Sequence, residues 1–301
     1  MSFRALFVDV NASFTNPTRN LLPLALLKSG DVRFFGPGHV TSECLARGLT
    51  SFIDREGPFD LVLSNTLVLF SDRGDPSHYA ATLVNAYAYS GAHEDLLYLP
   101  IIARQFSTLQ LPRVALLLEN DFYNWSDRDI EALSASVDYF IGFGEEFSPL
   151  RSELPHLAEE RFASSATDVW SEFTRQRRDR VASLLHFVAD SEFILSPLCA
   201  RQEPWSVMGV QYHARSVARE TLRRAGLDPV IDTKLRKLVS LLKKTHLVRR
   251  EKRFIQKALN ASFAGRLALT RYSFTCGSGL QMPIRKFFEI PAVGCLSLIH
   301  I

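Results

Sequence analysis

The 301-residue chain is short of cysteine and of long apolar runs. Its four cysteines, Cys44, Cys199, Cys276 and Cys295, lie far apart and form no CxxC pair. That scarcity argues against a disulfide framework and a structural zinc site, and it fits a reducing, cytoplasmic location. No stretch reaches the ~18 uninterrupted apolar residues of a membrane span, so no transmembrane segment is expected. The opening "MSFRALFVDVN" reads as a strand, because Asp9 interrupts the apolar run a signal peptide needs. Internal repeats, low-complexity tracts, a Ser-His-Asp signature and metal-ligand spacings are all missing. "FFGPGHV" holds only Gly36 and Gly38 and so falls short of the dinucleotide fingerprint GxGxxG. No metal and no tightly held cofactor is expected.

What is present is an uneven charge distribution. Residues 1–200 carry 16 Lys/Arg against 26 Asp/Glu, a balance of −10, and residues 201–301 carry 19 against 6, a balance of +13. An acidic half joined to a basic half predicts two domains with different ligands. The basic half suits an anion, whether nucleic acid, an anionic membrane or a phosphorylated small molecule.

The first half alternates apolar runs with helical periodicity. "RALFVDV" (4–10), "VRFFGPG", "FDLVLSN", "RVALLLEND" and "DYFIGFG" read as five strands. Between them, "NPTRNLLPLALLKSG" reads as a helix stopped at Gly30. "TSECLARGLTSFIDREG" reads as one capped by Thr41 or Ser42, a long helical stretch runs through 76–108, and "SDRDIEALSASV" opens a further helix. Apolar strands with little alternation between amphipathic helices predict a parallel sheet covered on both faces. The fold expectation is therefore α/β, with a Rossmann-like domain over 1–195. "SPLCARQEPW" (196–205) reads as a linker. A second strand–helix unit follows, with "WSVMGVQY" as a strand and "ARSVARETLRRAGL" as a helix stopped by Gly226. "RLALTRYSFTCGSG" is the next strand and loop.

Open parallel sheets bind ligands beyond the carboxyl ends of their strands. That rule selects Asn11–Thr15, Gly36–His39, Ser64–Thr66, Glu119–Asp121 and Thr275–Gly279. His39 and Asp121 are candidate general bases, as is Glu119, although an ordinary loop role competes for each. "TCGSGLQMPIRKFFEIPAVG" is richer. Gly277, Ser278 and Gly279 make a flexible loop, and Pro283 suits the first turn of a helix. Ile284, Phe287, Phe288 and Pro291 then space a buried stripe, with Arg285 and Glu289 sharing another face. A helix start with Ser278 and a basic side chain suits a diphosphate. The competing reading is an amphipathic helix with an exposed Arg285–Glu289 pair worth a few tenths of a kcal/mol.

"KFFEIPAVG" resembles the "FEAxAxG" segment of glycosyltransferases of the GT-B architecture with a group 1, spore-maturation-like C-terminal domain. "WSVMGVQYHAR" resembles the opening of that domain, with Gly209 and Arg215 near the matching places. "FVADSEF" and "FFGPG" resemble further segments of the family. The resemblance implies two Rossmann-like domains, 1–195 on the acceptor side and 196–295 as a partial nucleotide-sugar-binding domain. It implies that Glu289 takes the place of the acid that binds the donor's ribose. Gly277, Ser278, Gly279, Arg285 and Lys286 complete the donor site. Arg285 and Lys286 stand where the family commonly has one basic residue, so the phosphate contact is not assigned to either.

In the family this helix leads into another strand, loop and return helix, so the C-terminal domain is expected to be incomplete. The final "LSLIHI" (296–301) matches the conceptual translation of a transposase-adaptor end used in sequencing libraries and is expected to be a non-native tail. The expected activity is metal-independent transfer of a sugar from a nucleotide-diphosphate donor to an unknown glycan, lipid-linked or protein acceptor, with this fragment inactive. Two alternatives stand beside it. One is a nucleic-acid-binding protein using segment 234–257, which has ten Lys/Arg against one acid but only Phe254 as an aromatic. The other is a non-catalytic sugar-nucleotide-binding protein on the same fold.

Overall fold

Arg4–Val8 (β1) is a strand whose residues Ala5 to Val8 are all fully buried, so both of its faces are covered. Asp31–Phe35 (β2), Leu61–Asn65 (β3), Arg113–Leu116 (β4), Tyr139–Gly142 (β5) and Val181–Ser183 (β6) join it in one sheet. The order is β2-β1-β3-β4-β5-β6 and every pairing is parallel. In the computed structural model the described residues are 3–11, 22, 25–28, 30–72, 80, 83, 89, 91–117, 127–142, 173, 175–184, 188, 193–209, 212–232, 252–276 and 285–299. Contacts divide the chain into two units, Met1–Gly144 with Gln176–Leu184 and Glu145–Arg175 with Leu185–Ile301. Among the described residues no helix is long and apolar enough to cross a membrane.

The five strands read from the first half of the sequence all form, and a sixth that was not read joins them. Helix α1 (Ser42–Glu56) starts as its cap predicts, with the Thr41 hydroxyl accepting from the Cys44 N–H at 3.4 Å. It breaks at Gly48, which has φ 88°, and the Gln105 side chain accepts the Leu49 N–H at 2.8 Å. Gln105 belongs to α3 (Leu99–Ser107), which follows the short α2 (Thr66–Leu69) and a 3-10 turn at His93–Tyr98. One face of the sheet packs Ala5, Phe7, Val32, Leu63, Val114 and Leu116 into a single core.

The sixth strand, β6, has only three residues, and Arg180 explains how so short a segment is held. Its guanidinium donates to the carbonyls of Ser134, Val137 and Asp138, at and just beyond the end of α4 (Asp127–Ser136). A basic side chain on the last carbonyls of a helix satisfies acceptors that have no intrahelical partner.

The second unit is also parallel. Glu203–Ser206 (β7), Thr270–Thr275 (β8) and Leu296–Ile299 (β9) lie in the order β7-β8-β9, and Val230 bridges to Ser206 on the other side of β7. Helix α5 (His213–Arg224) ends before Gly226, whose φ of 76° an L side chain rarely adopts. Helix α6 (Lys252–Ala268) runs on through Arg266–Ala268, which the sequence reading placed at the start of a strand. The core joins Phe193, Met208, Ala264, Leu267, Ile290, Val293 and Cys295. The last two flank the turn out of α7 (Lys286–Ala292).

The face of α7 differs from expectation. Phe287 and Phe288 are only half-buried and Pro291 is exposed, whereas Arg285, Glu289 and Ile290 are buried. The charged face is the inner one, because the neighbouring element ends offer this helix ionic and aromatic partners. The segment expected as a tail includes strand β9, which pairs Tyr272 with Leu296 through Thr275 with Ile299.

Candidate functional site

Three parallel chain segments of the second unit end on the same side of the sheet. Gly209 follows β7, Thr275 closes β8, and Asp232 follows the bridge at Val230. The Gly209 N–H donates to Asp232 Oδ1 at 3.1 Å. Gly209 has φ 104°, and a methyl group there would collide with Cε of Lys286 and sit 2.9 Å from Nη1 of Arg215. This position requires glycine for two reasons at once, backbone conformation and close approach by cations.

Arg215 comes from the first turns of α5 and is 1% exposed. Its Nη2 donates to the Thr275 hydroxyl at 3.3 Å, and its guanidinium lies 5.2 Å from the Tyr212 ring centre. Lys286 and Glu289 come from α7. The Lys286 ammonium is 3.4 Å from Glu289 Oε2 and 3.8 Å from the Phe263 ring centre. Arg285 Nε is 3.3 Å from Glu289 Oε1, and its guanidinium faces the Phe193 ring at 5.6 Å. Glu289 thus holds one cation on each carboxylate oxygen, in a place where its side chain is 8% exposed. Three cations, Arg215, Arg285 and Lys286, gather with two carboxylates, Glu289 and Asp232.

Burial pushes the Lys286 ammonium below its ordinary pKa, and the positive charge of Arg215 adds to this. The carboxylates of Glu289 and Asp232 oppose the shift. Among the described residues, this group at the carboxyl ends of parallel strands sets three cations against two carboxylates, and buried cations in such a place can be met by an anion.

The structure brings together Glu289, Arg285 and Lys286 from the sequence reading, together with Gly209 and Arg215. It also separates the two adjacent cations. Lys286 lies against Gly209 and Arg215, whereas Arg285 turns toward Phe193. Gly277, Ser278, Gly279 and Asp121 lie outside the described residues. His39 belongs to the first unit, half-buried after β2, with its ring stacked on Phe34 at 5.0 Å. Asp232 was missed; the signal was an acid closing the apolar run Pro229, Val230, Ile231. No protein-family profile matches the chain and no curated protein matches it.

Proposed function

We propose that the chain belongs to a GT-B glycosyltransferase and that its second unit binds the nucleotide-diphosphate part of a sugar donor. The observation that carries this reading is the buried Arg215–Lys286–Glu289 group around Gly209 at the carboxyl ends of parallel strands. Lys286 and Arg215 meet the diphosphate, and the Gly209 turn lets the donor approach the backbone. Glu289 accepts from the ribose hydroxyls, held in place by Arg285. During transfer the bond from the sugar's anomeric carbon to the diphosphate oxygen breaks, and negative charge grows on the leaving group. Fixed cations in a water-poor site stabilise that charge without reorganising, so the reaction proceeds without a metal. The acceptor oxygen forms the new bond, and its proton passes to a base, for which His39 and Asp121 are the candidates.

Isothermal titration of the chain with UDP and GDP tests the donor site. Glu289→Ala and Lys286→Met each remove a charge-assisted contact worth about 1.5–3 kcal/mol, which lowers affinity roughly 10- to 150-fold. Met is close in length to Lys and apolar, so the Lys286 variant keeps the fold. Nucleotide affinity unchanged in a folded Lys286→Met protein refutes the assignment. Undiminished donor binding with neither hydrolysis nor transfer by the full-length protein would instead mark a non-catalytic sugar-nucleotide-binding protein.

A further inference from the structure

Asp232 is a buried carboxylate at a site that gathers cations, and the donor reading above gives it no task. The chain leading to it is held from two directions. Val230 donates its N–H to the Trp205 carbonyl at 2.9 Å, and its own carbonyl accepts the Val207 N–H at 3.0 Å. Arg266 of α6 donates to the Ile231 carbonyl at 3.1 Å. On the facing side, Arg219 of α5 donates to the Val207 carbonyl through Nε at 3.1 Å and Nη2 at 2.8 Å. The extension of β7 is therefore fixed as far as Val207, and Asp232 takes over at Gly209, whose N–H it accepts. Glycine reaches a φ of 104° without strain, but it reaches many other conformations as easily, so something has to select this one. The bond to Asp232 does so, and the turn it selects is the one against which Lys286 and Arg215 rest.

Charge gives Asp232 a second task. The Lys286 ammonium faces Glu289 from its own helix, where Arg285 holds the other carboxylate oxygen. It also feels Arg215 from α5 and Asp232 from the segment after Val230, and α6 offers it the Phe263 ring. Burial and Arg215 drive Lys286 toward the neutral amine, whereas Glu289 and Asp232 hold it charged. A lysine with a depressed pKa keeps its proton, and attracts an anion, below that value, and loses both as pH rises through it. Asp232 moves the loss to higher pH.

We infer that Asp232 is a positioning residue that sets the pH range over which the second unit takes its anion, by fixing the Gly209 turn and supplying Lys286 with a second carboxylate. That the anion is a nucleotide diphosphate rests on the reading above; the part played by Asp232 does not. Two substitutions separate its tasks. Asp232→Asn keeps an oxygen for the Gly209 N–H and loses the charge, whereas Asp232→Ala loses both.

The test is calorimetry of the full chain with inorganic pyrophosphate and with UDP, from about pH 6 to about pH 10, near the ordinary lysine value. Heteronuclear NMR of ε-labelled lysine follows Lys286 in the ligand-free protein, its signal being the one absent from Lys286→Met. At about pH 6, Asp232→Asn binds pyrophosphate at least as tightly as wild type, because a negative charge beside the anion is gone. Its alkaline loss of binding, and the titration of Lys286, both begin about one pH unit lower. Asp232→Ala shows the same displacement and binds about five- to tenfold more weakly than Asp232→Asn throughout. A residue that only supports the fold lowers the thermal midpoint and leaves the Lys286 titration in place, and that outcome overturns the inference. Equal binding by the two variants overturns it as well. Should Asp232→Ala not fold, the titration and pH profile of Asp232→Asn decide alone. UDP bound with unmoved profiles refutes this role and spares the donor reading. Pyrophosphate bound with the expected displacement, but no UDP or GDP, refutes the donor reading and spares this role, and a wild type that binds none of them refutes both.

Discussion

Replacing Glu289 with glutamine removes one negative charge and almost no volume. The carboxylate has Arg285 at 3.3 Å and Lys286 at 3.4 Å, and its side chain is 8% exposed. At an effective dielectric of about 20, each contact is a Coulomb attraction of about 5 kcal/mol before desolvation is counted. The charged state has already lost its water, so deleting one partner leaves uncompensated buried cations. That costs about 3–5 kcal/mol. Lys286 relieves part of the cost by releasing its proton, since burial already holds its pKa low. Arg285 has no such route, because a guanidinium stays charged.

Urea unfolding followed by far-UV circular dichroism measures this. With a slope of about 2 kcal/mol per molar, the transition of the second unit moves down by roughly 1.5–2.5 M. Glu289→Gln combined with Lys286→Met regains about 1–3 kcal/mol, the coupling expected of residues in contact. An exposed pair behaves otherwise, with a cost under about 1 kcal/mol and no recovery in the double variant. That result would refute the buried ionic face of α7 and with it the anion site.

Two predictions concern the first unit. Gly48→Ala lowers the thermal midpoint, because φ 88° strains an alanine and the new methyl lies 2.6 Å from Gln105 Nε2. The strain and the weakened Leu49–Gln105 bond together cost about 2–3 kcal/mol, whereas an ordinary mid-helix glycine gains about 1 kcal/mol from the same change. A rise in midpoint rules the kink out. Asp138→Asn flattens the acid limb of stability. Arg113 holds the Asp138 carboxyl below its ordinary pKa, through side-chain bonds at 2.9 and 3.0 Å and a backbone bond at 2.9 Å. Its stabilisation is complete above the unfolded value near pH 4 and disappears as pH falls through the lower folded value. Asp138 is 40% exposed, so solvent screening limits the effect to about 1 kcal/mol. Wild-type and variant curves that stay parallel through the acid range contradict this.

The parallel sheet was legible in the sequence because its strands are nearly continuous apolar runs, and continuous runs mean burial on both faces. β6 was not legible, since Val181–Ser183 carries no such run and is secured by Arg180, a contact that periodicity cannot reveal. At the site, the spacing of Arg285 and Glu289 was readable but their environment was not. The same spacing describes an exposed ion pair and a buried one, and what decides between them are Phe193, Phe263 and Gly209, each distant in sequence. The strand-end rule picked out Asn65 within Ser64–Thr66, but Asp9 escaped notice for a related reason. It follows an apolar strand, where a polar residue reads as the edge of an element, and only the strand order sets it beside Asn65.

Arg201 gives the second unit a further property. This one buried guanidinium donates to the carbonyls of Ser196 at 2.8 Å and Thr270 at 2.6 Å, and to that of Val293. Its acceptors lie before β7, at the start of β8 and just after α7. None of these segments can fray without stripping bonds from the other two, so in hydrogen exchange they protect or release their amides together as one cooperative block. The helix that carries Lys286 and Glu289 is therefore locked to the base of the sheet through its far end, which holds its charged face in position.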